Sequence, residues 1–254
     1  MGHLERPGEA RGHWNIDDFF STGKEEVERV FAYLEKKRIA LPDRILALDF
    51  GCGVGRLTRA LAARMDEVHG VDVSQNMVAR ARELNQGAPG RMSFFLNRDR
   101  DLSMFADASY SFIYSSIVLQ HVPYPESLGY VREFFRLAKP GGLVVFQVPT
   151  LDRTRLPRRF ARALLRRVAQ MARLPIPALH IEMNVIPEAE IRSAALAAGV
   201  EVIDVVYTNS VESNANGGLQ FEERDGGGRL ASCQFSVRKR GPAGPRRHPA
   251  AALG

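Results

Sequence analysis

The stretch that decides the fold is ILALDFGCGVGRLTRAL, residues 45–61. An apolar run typical of a buried β-strand ends at Asp49 and Phe50, and a helical pattern begins directly after the glycines. Glycines occupy every second position of the connecting turn, at 51, 53 and 55. They allow positive φ angles and let a ligand approach the backbone without meeting a Cβ atom. This order of elements places the turn at the edge of an open α/β sheet, where such folds bind ligands.

The turn differs from two well-known phosphate-binding motifs. The dinucleotide fingerprint needs a third glycine where Arg56 stands, and no Gly-Lys-Ser/Thr of a P-loop follows. Asp72 ends the next predicted strand, seventeen residues after Gly55. An acid at that place can accept hydrogen bonds from both hydroxyls of a ribose. The sequence therefore predicts a nucleoside ligand without a pyrophosphate.

The rest of the chain alternates short apolar runs with stretches of helical period, which predicts βαβ units and a mostly parallel sheet. Strands are predicted at 45–50, 68–73, 92–96, 111–117, 143–148, 200–206 and 232–238. Helices are predicted after the glycine turn, after the N-cap Ser74, and over 125–138, 158–173 and 188–198. The last two strands are joined by a glycine-rich link without helical period, which predicts an antiparallel pair at the sheet edge.

Length and composition indicate one soluble domain. The chain has 254 residues and a mass of 28.2 kDa, with 45% hydrophobic and 25% charged residues. We expect disorder in residues 1–12 and 241–254, and one domain over 13–240 that includes a cap-like insertion at 151–186. No apolar run approaches the ~20 residues of a membrane span, and the start lacks a signal peptide's apolar core. Two cysteines form no disulfide framework, so we expect a cytoplasmic protein.

The formal charge of +6 is concentrated in two places. Residues 153–173 carry eight arginines and no acid, and the tail after residue 237 carries five basic residues and no acid. The predicted helix 158–173 also has an apolar face. It could cap an acceptor site, contact an anionic membrane surface, bind RNA, or recognise an acidic acceptor. The sequence leaves these interpretations open.

Four motifs together resemble one family. LALDFGCGVGRLTRAL, VHGVDVSQNMVARAR, SFIYSSIVLQHV and LAKPGGLVVFQVP are similar to the successive motifs of the class I S-adenosylmethionine-dependent methyltransferases. The resemblance covers about residues 40–150 and implies a Rossmann-like α/β fold, a seven-stranded sheet with the last strand antiparallel, and a helical insertion after the fifth strand. It implies S-adenosylmethionine as the cofactor and says little about the acceptor.

The resemblance also implies cofactor contacts. Residues expected on the methionine and ribose side are Asp49, Gly51, Cys52, Gly53, Gly55 and Asp72. Val73 and Met77 would lie beside the adenine, and Ser115, Ser116 and Gln120 would flank the methionine end. At Asn97, Arg98 and Asp99 the sequence departs from the family, which usually has an acid where Arg98 stands. Either Asp99 takes the place of that acid, or the backbone alone contacts the adenine there. Trp14, Phe20 and Thr22 resemble a segment that folds over the cofactor, or an aromatic segment that docks on the core.

Methyl transfer needs a positioned nucleophile and, for some acceptors, a base. His121 is the candidate base, because it follows the fourth strand and histidine titrates near neutral pH. Candidate acceptor-pocket residues are Tyr124, His180, Glu182 and Asn184. No cluster with metal-ligand spacing is found in the sequence, so no metal is expected.

We therefore expect a methyltransferase for a small-molecule or glycan-like acceptor, with O-methylation favoured. The alternatives are an RNA or protein methyltransferase that docks through the basic helix, or a cofactor-binding cyclase or scaffold. The sequence does not indicate the oligomeric state.

Overall fold

The computed structural model describes residues 15–152, 183–209, 218–225, 227 and 230–241. The arginine-rich helix predicted over 158–173 lies outside the described residues, as do 1–12, 242–254 and most of the insertion. The domain boundaries drawn through those segments stay predictions.

The described chain begins with a long helix, α1 (Ile16–Lys36). Asn15 caps it, because its side-chain oxygen accepts a hydrogen bond from the backbone nitrogen of Asp17 at 3.0 Å. Buried residues recur at helical spacing on one face: Phe20, Val27, Val30, Phe31 and Leu34. No helix is predicted here from the sequence, although the cap and the apolar spacing are both present in it.

The remaining elements alternate as predicted. In chain order they are β1 (Leu46–Phe50), α2 (Arg56–Ala62), β2 (Glu67–Asp72), α3 (Gln75–Leu84), β3 (Arg91–Leu96), β4 (Tyr110–Ser115), a 3₁₀ turn (Leu119–His121), α4 (Glu126–Leu137), β5 (Ala138–Asp152), α5 (Glu188–Ala197), β6 (Val200–Thr208), β7 (Phe221–Glu222) and β8 (Leu230–Lys239). The N-cap predicted at Ser74 is confirmed, since its hydroxyl accepts from the Met77 backbone nitrogen at 3.4 Å. None of the described helices is long and apolar enough to cross a membrane.

The strands form one sheet in the order β3-β2-β1-β4-β5-β8-β6-β7. The first five are parallel, and β8 is antiparallel to both β5 and β6. The predicted Rossmann-like fold is therefore confirmed, including the antiparallel last strand. The two-residue β7 is an eighth strand, at the edge beyond β6, which the sequence does not predict.

Apolar side chains cover both faces of the sheet. On one face, α1 and α2 pack on the central strands through Val30, Phe31, Leu57, Leu61, Phe112 and Val145. On the other face, α4 and α5 pack through Phe134, Phe135, Ile191, Leu48, Ile113 and Phe146. Because β1 to β5 are parallel, their carboxyl ends meet at one edge, and the glycine turn lies there.

The turn predicted at KPGG is a bulge inside β5. Ala138 pairs with Tyr110, whereas Leu143 pairs with Phe112, so the intervening residues loop out of the register. A Cβ on Gly142 would lie 2.8 Å from the backbone oxygen of Tyr110. Because Gly142 has no side chain, β5 can return to pairing with β4 directly after the bulge.

Candidate functional site

The glycine turn joins β1 to α2, and all three glycines have positive φ angles: 77° at Gly51, 53° at Gly53 and 89° at Gly55. Two of them also pack tightly. A Cβ on Gly51 would lie 2.3 Å from Val118, and a Cβ on Gly55 would lie 2.9 Å from the Phe94 ring. Gly53 differs, because a Cβ there would meet no described atom within 4 Å. Of the three turn glycines, only Gly53 therefore leaves room for a ligand to approach the backbone.

These contacts lead to a paired prediction. Gly55→Ala should destabilise the fold, because the new methyl group meets Phe94 in a strained backbone conformation. Gly53→Ala should fold with a loss of no more than about 1–2 kcal/mol, since only the φ angle opposes it. It should nevertheless weaken binding of S-adenosylhomocysteine, the product form of the cofactor that the family resemblance implies, as measured by calorimetry. Normal binding by a folded Gly53→Ala protein would show that no ligand approaches this turn.

Asp72 ends β2 beside the turn and holds it in place. Its Oδ2 accepts a hydrogen bond from the Gly53 backbone nitrogen at 2.9 Å, and its Oδ1 accepts from the Ser74 backbone nitrogen at 2.8 Å. A carboxylate oxygen can accept more than one hydrogen bond. Asp72 can therefore hold the turn and still accept from a pair of ligand hydroxyls.

Exposed apolar side chains follow Asp72. Val73 is 70% exposed and Met77 is 44% exposed, although both are apolar. Arg98, in the loop after β3, lies beside the start of α3, because its Nη2 donates to the side-chain oxygen of Gln75 at 2.7 Å. An apolar surface beside an acid that is predicted to bind ribose suits the face of a base.

The loop after β3 is fixed from inside. Asn97 is buried, and its Nδ2 donates to the backbone oxygens of Asp99 and Asp101 at 3.3 and 2.8 Å. The Tyr130 hydroxyl donates to the Asp99 backbone oxygen at 2.8 Å. Asn97 is therefore used to shape the loop, while Arg98 and Asp99 keep exposed side chains. Their contact with adenine stays a prediction.

Asp49 lies beneath the turn and is 1% exposed. Its Oδ2 accepts from the Thr58 hydroxyl at 2.6 Å, whereas its Oδ1 has no hydrogen-bond partner among the described residues. Burial raises the pKa of this carboxyl to about 7, although the Thr58 hydrogen bond and the nearby Arg56 charge lower it. An unpartnered buried carboxylate oxygen is costly unless a ligand supplies a donor. Cys52, beside it in the turn, is also buried, and burial raises the pKa of its thiol.

The end of β4 carries the residues predicted to flank the methionine end. Ser115 is buried and donates to the Phe50 backbone oxygen at 3.3 Å. Ile117, two residues on, has φ 61°, a strained conformation for a β-branched residue. This turn brings Val118 over Gly51 and starts the 3₁₀ turn that carries Gln120 and His121.

Gln120 and His121 lie side by side in that turn. The amide nitrogen of Gln120 lies 3.3 Å from His121 Nε2. The Oε1 atom of Gln120 is buried, and no hydrogen-bond partner for it lies in the part of the chain that the structure describes. Partial burial lowers the pKa of His121, so the imidazole is neutral at pH 7. A neutral imidazole is the form that can accept a proton.

Two of the predicted acceptor-pocket residues belong to the described part of the chain. The Asn184 backbone nitrogen donates to the Gln120 backbone oxygen at 2.8 Å, which places Asn184 beside the 3₁₀ turn. Tyr124 is exposed, and its hydroxyl donates to Glu190 on α5 at 2.8 Å. His180, Glu182 and Trp14 lie outside the described residues. Within the described residues, no group of three or more His, Cys, Asp or Glu side chains could hold a metal ion.

Phe20 and Thr22 lie on α1 where it crosses α2. The Arg59 guanidinium lies 3.5 Å from the centre of the Phe20 ring, and Phe20 is buried. The Thr22 hydroxyl donates to the Phe19 backbone oxygen at 2.7 Å and lies 3.5 Å from Arg56 Nη1. Phe20 thus docks on the core, which is one of the two interpretations open from the sequence. Whether either residue meets the cofactor stays a prediction.

One buried polar group near the site is not predicted from the sequence. Gln147 on β5 donates to the hydroxyls of Thr208 and Ser232, both at 3.0 Å, and the Ser116 hydroxyl lies 3.5 Å from its Oε1. All four side chains are buried or nearly so. A lone glutamine in the apolar run LVVFQV was the available signal. This hydrogen-bonded group fixes the position of Ser116 at the end of β4.

Comparison with known proteins gives the site a context. The sequence profile of a methyltransferase domain family matches residues 47–142. The ubiquinone biosynthesis O-methyltransferase of Xanthomonas campestris is 30% identical over 168 residues, which cover 66% of this chain and 67% of that protein. The chain belongs to the class I S-adenosylmethionine-dependent methyltransferases.

Other members of this methyltransferase family match over shorter stretches. The trans-aconitate 2-methyltransferase of Variovorax paradoxus is 34% identical over 116 residues, covering 44% of this chain and 41% of that protein. For the phosphoethanolamine N-methyltransferase 2 of Caenorhabditis elegans the identity is 34% over 39% of this chain, and only 22% of that protein is spanned. The chain thus spans less than half of the length of these two curated relatives.

A solved structure has the same methyltransferase fold. Magnesium protoporphyrin IX methyltransferase from Synechocystis, solved with bound S-adenosylhomocysteine, superposes with a TM-score of 0.55 at 19% identity. The match covers 91% of this chain and 90% of that chain.

The residues around the turn fit the family's cofactor. The open space at Gly53 leaves room beside the backbone, and the unpartnered Oδ1 of Asp49 can receive a donor such as an ammonium group. Asp72 can receive ribose hydroxyls, and exposed Val73 and Met77 offer an apolar surface for adenine. The ammonium, the ribose and the adenine of S-adenosylmethionine thus each have a chemically suitable partner among these residues.

Proposed function

We propose that this chain transfers a methyl group from S-adenosylmethionine to a small-molecule acceptor, preferentially to an oxygen atom. The observation that carries the proposal is the group at the turn: Asp72 with two spare acceptor positions, the open side of Gly53 and the unpartnered Asp49. Oxygen is preferred because the Xanthomonas relative, of which two thirds is matched, is an O-methyltransferase. A glycan-like acceptor falls within this class.

In this proposal each described residue has a separate task. The bound cofactor supplies an electrophilic methyl group on its sulfonium. Asp72 holds the ribose hydroxyls, Val73 and Met77 contact the adenine, and Asp49 accepts from the ammonium. Ser115, Ser116 and Gln120 border the methionine end. Asn184 and Tyr124 orient the acceptor beside them, which converts the reaction into one between two positioned groups.

His121 is proposed to take the proton from an acceptor hydroxyl. Its lowered pKa keeps the imidazole neutral at pH 7, so it can accept a proton there. The contact with the Gln120 amide is long, at 3.3 Å, and an acceptor hydroxyl can replace it. A carboxylate acceptor would arrive without a proton and would not need this base.

The function is tested by binding and by product formation. Calorimetry should show binding of both S-adenosylmethionine and S-adenosylhomocysteine. A panel of phenols, hydroxy acids, carboxylates, sugars and amines should then reveal acceptors that release S-adenosylhomocysteine, detected by mass spectrometry. Binding without release from any acceptor class would favour a protein that uses the cofactor without transferring methyl groups. Failure of the protein to bind either compound would refute the proposal.

The role of His121 is tested with the hydroxyl acceptor that the panel reveals. His121→Ala should lower kcat by about a hundredfold or more, with unchanged affinity for S-adenosylhomocysteine. In the wild type, kcat should fall at acidic pH as the imidazole gains a proton, and because its pKa is lowered the fall should begin at a lower pH than for an ordinary histidine. This fall should be absent in the variant. Full turnover by His121→Ala at neutral pH would exclude it as the base.

A further inference from the structure

Arg56 is the first residue of α2 and follows the last glycine of the turn. Its side chain extends toward α1, where Nη2 forms an ion pair with Glu26 Oε2 at 2.8 Å. Its Nη1 lies 3.5 Å from the Thr22 hydroxyl. The other oxygen of Glu26 accepts from the buried Tyr114 hydroxyl at 3.0 Å. The guanidinium is therefore fixed in position by α1 and, through Glu26, by β4.

Arg56 also keeps capacity for another partner. A guanidinium has five N–H donors, and the ion pair with Glu26 and the long contact with Thr22 use two of them. The side chain remains 22% exposed. Arginine binds carboxylates well, because its planar group can donate two parallel hydrogen bonds to one of them.

Asp49 and Arg56 together offer opposite charges beside the turn. Asp49 Oδ2 accepts a hydrogen bond from the hydroxyl of Thr58, which lies in the first turn of α2, the helix that Arg56 begins. Asp49 contributes an unpartnered, buried acceptor oxygen, and Arg56 contributes free donors. The methionine half of S-adenosylmethionine carries an ammonium and a carboxylate on the same carbon atom. It therefore requires a negative and a positive group side by side.

We propose that Arg56, supported by the Thr22 hydroxyl, binds the α-carboxylate of the cofactor while Asp49 faces its ammonium. This inference rests on the proposed function. Glu26 is then a positioning residue, since it holds Arg56 at the turn without meeting the cofactor. Helix α1 becomes part of the cofactor site through Glu26 and Thr22. The alternative is that the ion pair between Arg56 and Glu26 only joins α1 to α2.

The two possibilities are distinguished with a pair of ligands that differ only in the carboxylate. Calorimetry should be performed with S-adenosylmethionine and with decarboxylated S-adenosylmethionine. The wild type should prefer the first by about tenfold or more, because a charge-assisted pair with Arg56 is lost in the second. In Arg56→Met this preference should fall to about twofold or less, mostly through weaker binding of S-adenosylmethionine. The ratio within one variant does not depend on the fraction of folded protein.

Two further variants act as controls. Arg59→Met removes the arginine that packs on Phe20, so it loosens the same helix junction and should keep the wild-type preference. Arg56→Lys keeps a positive charge and should keep part of the preference. An unchanged preference in Arg56→Met, or an equal loss for both ligands, would overturn the inference while leaving the cofactor assignment intact. Absence of binding by the wild type would contradict the proposed function, and this inference with it.

Discussion

Asp72→Ala is expected to weaken the binding of S-adenosylhomocysteine by about a hundredfold or more. Hydrogen bonds to a charged group contribute about 1.5–3 kcal/mol each, and two ribose hydroxyls would lose their acceptor. The turn also loses its support, since Gly53 and Ser74 both donate to this carboxylate. Both effects act in the same direction, so this substitution should have the largest effect on affinity.

Asp72→Asn is the matched control. The amide has a similar shape, but it offers one acceptor oxygen and turns an NH₂ group toward one of the two backbone donors. Its affinity, measured by calorimetry, should lie between those of the wild type and the alanine variant. Undiminished binding in Asp72→Ala would remove the ribose assignment and with it the main support for the cofactor site.

Asp49→Asn is expected to change stability and binding in opposite directions. The folded protein holds a proton on Asp49 up to about pH 7, whereas the unfolded chain releases it near pH 4. The unfolded state binds fewer protons in this window, so the free energy of unfolding falls as pH rises from 4 to 7. A difference of three pKa units corresponds to about 4 kcal/mol. Asparagine does not titrate, so the variant should be the more stable protein at pH 8 by up to that amount.

Binding should show the opposite order. Ionised Asp49 attracts the ammonium of S-adenosylmethionine, so wild-type affinity should rise as pH increases through about 7. Asp49→Asn should bind weakly at every pH. Thr58→Val removes a hydrogen bond that lowers the pKa of Asp49, and it should move the rise in affinity to higher pH. Urea unfolding and calorimetry at pH 5 to 8 provide the measurements. A wild-type affinity that does not change with pH would contradict the role of Asp49.

Much of the fold follows from the sequence, because its signals are local. The seven predicted strands and the cap at Ser74 come from hydrophobic period and residue type, which act within a few neighbouring residues. Helix α1 is not predicted, although its signals are equally local: the cap at Asn15 and the helical spacing of its apolar residues. The two-residue β7 was not predictable, since its pairing with β6 depends on a partner distant in sequence.

The site is predictable in residue type but not in geometry. The glycines and Asp72 are visible in the sequence, yet only the structure separates Gly53, which faces open space, from Gly51 and Gly55, which are packed. The same holds for Arg56. In the sequence, Arg56 only shows that the turn lacks the third glycine of the dinucleotide motif. Its ion pair with Glu26 joins residues thirty positions apart, so it cannot be predicted from local pattern.

The position of β8 affects how the protein can form during synthesis. The last strand of the fold lies between β5 and β6, so β6 has no place in the sheet until residues 230–239 have left the ribosome. Helix α1 also contacts residues that follow β5 in the chain: Tyr33 donates to Asp204, and Arg29 donates to the backbone of Leu219. These two contacts can form only after that part of the chain has been synthesised. Until β8 is in place, the edge of β5 is unpaired, and an unpaired strand edge can pair with another chain.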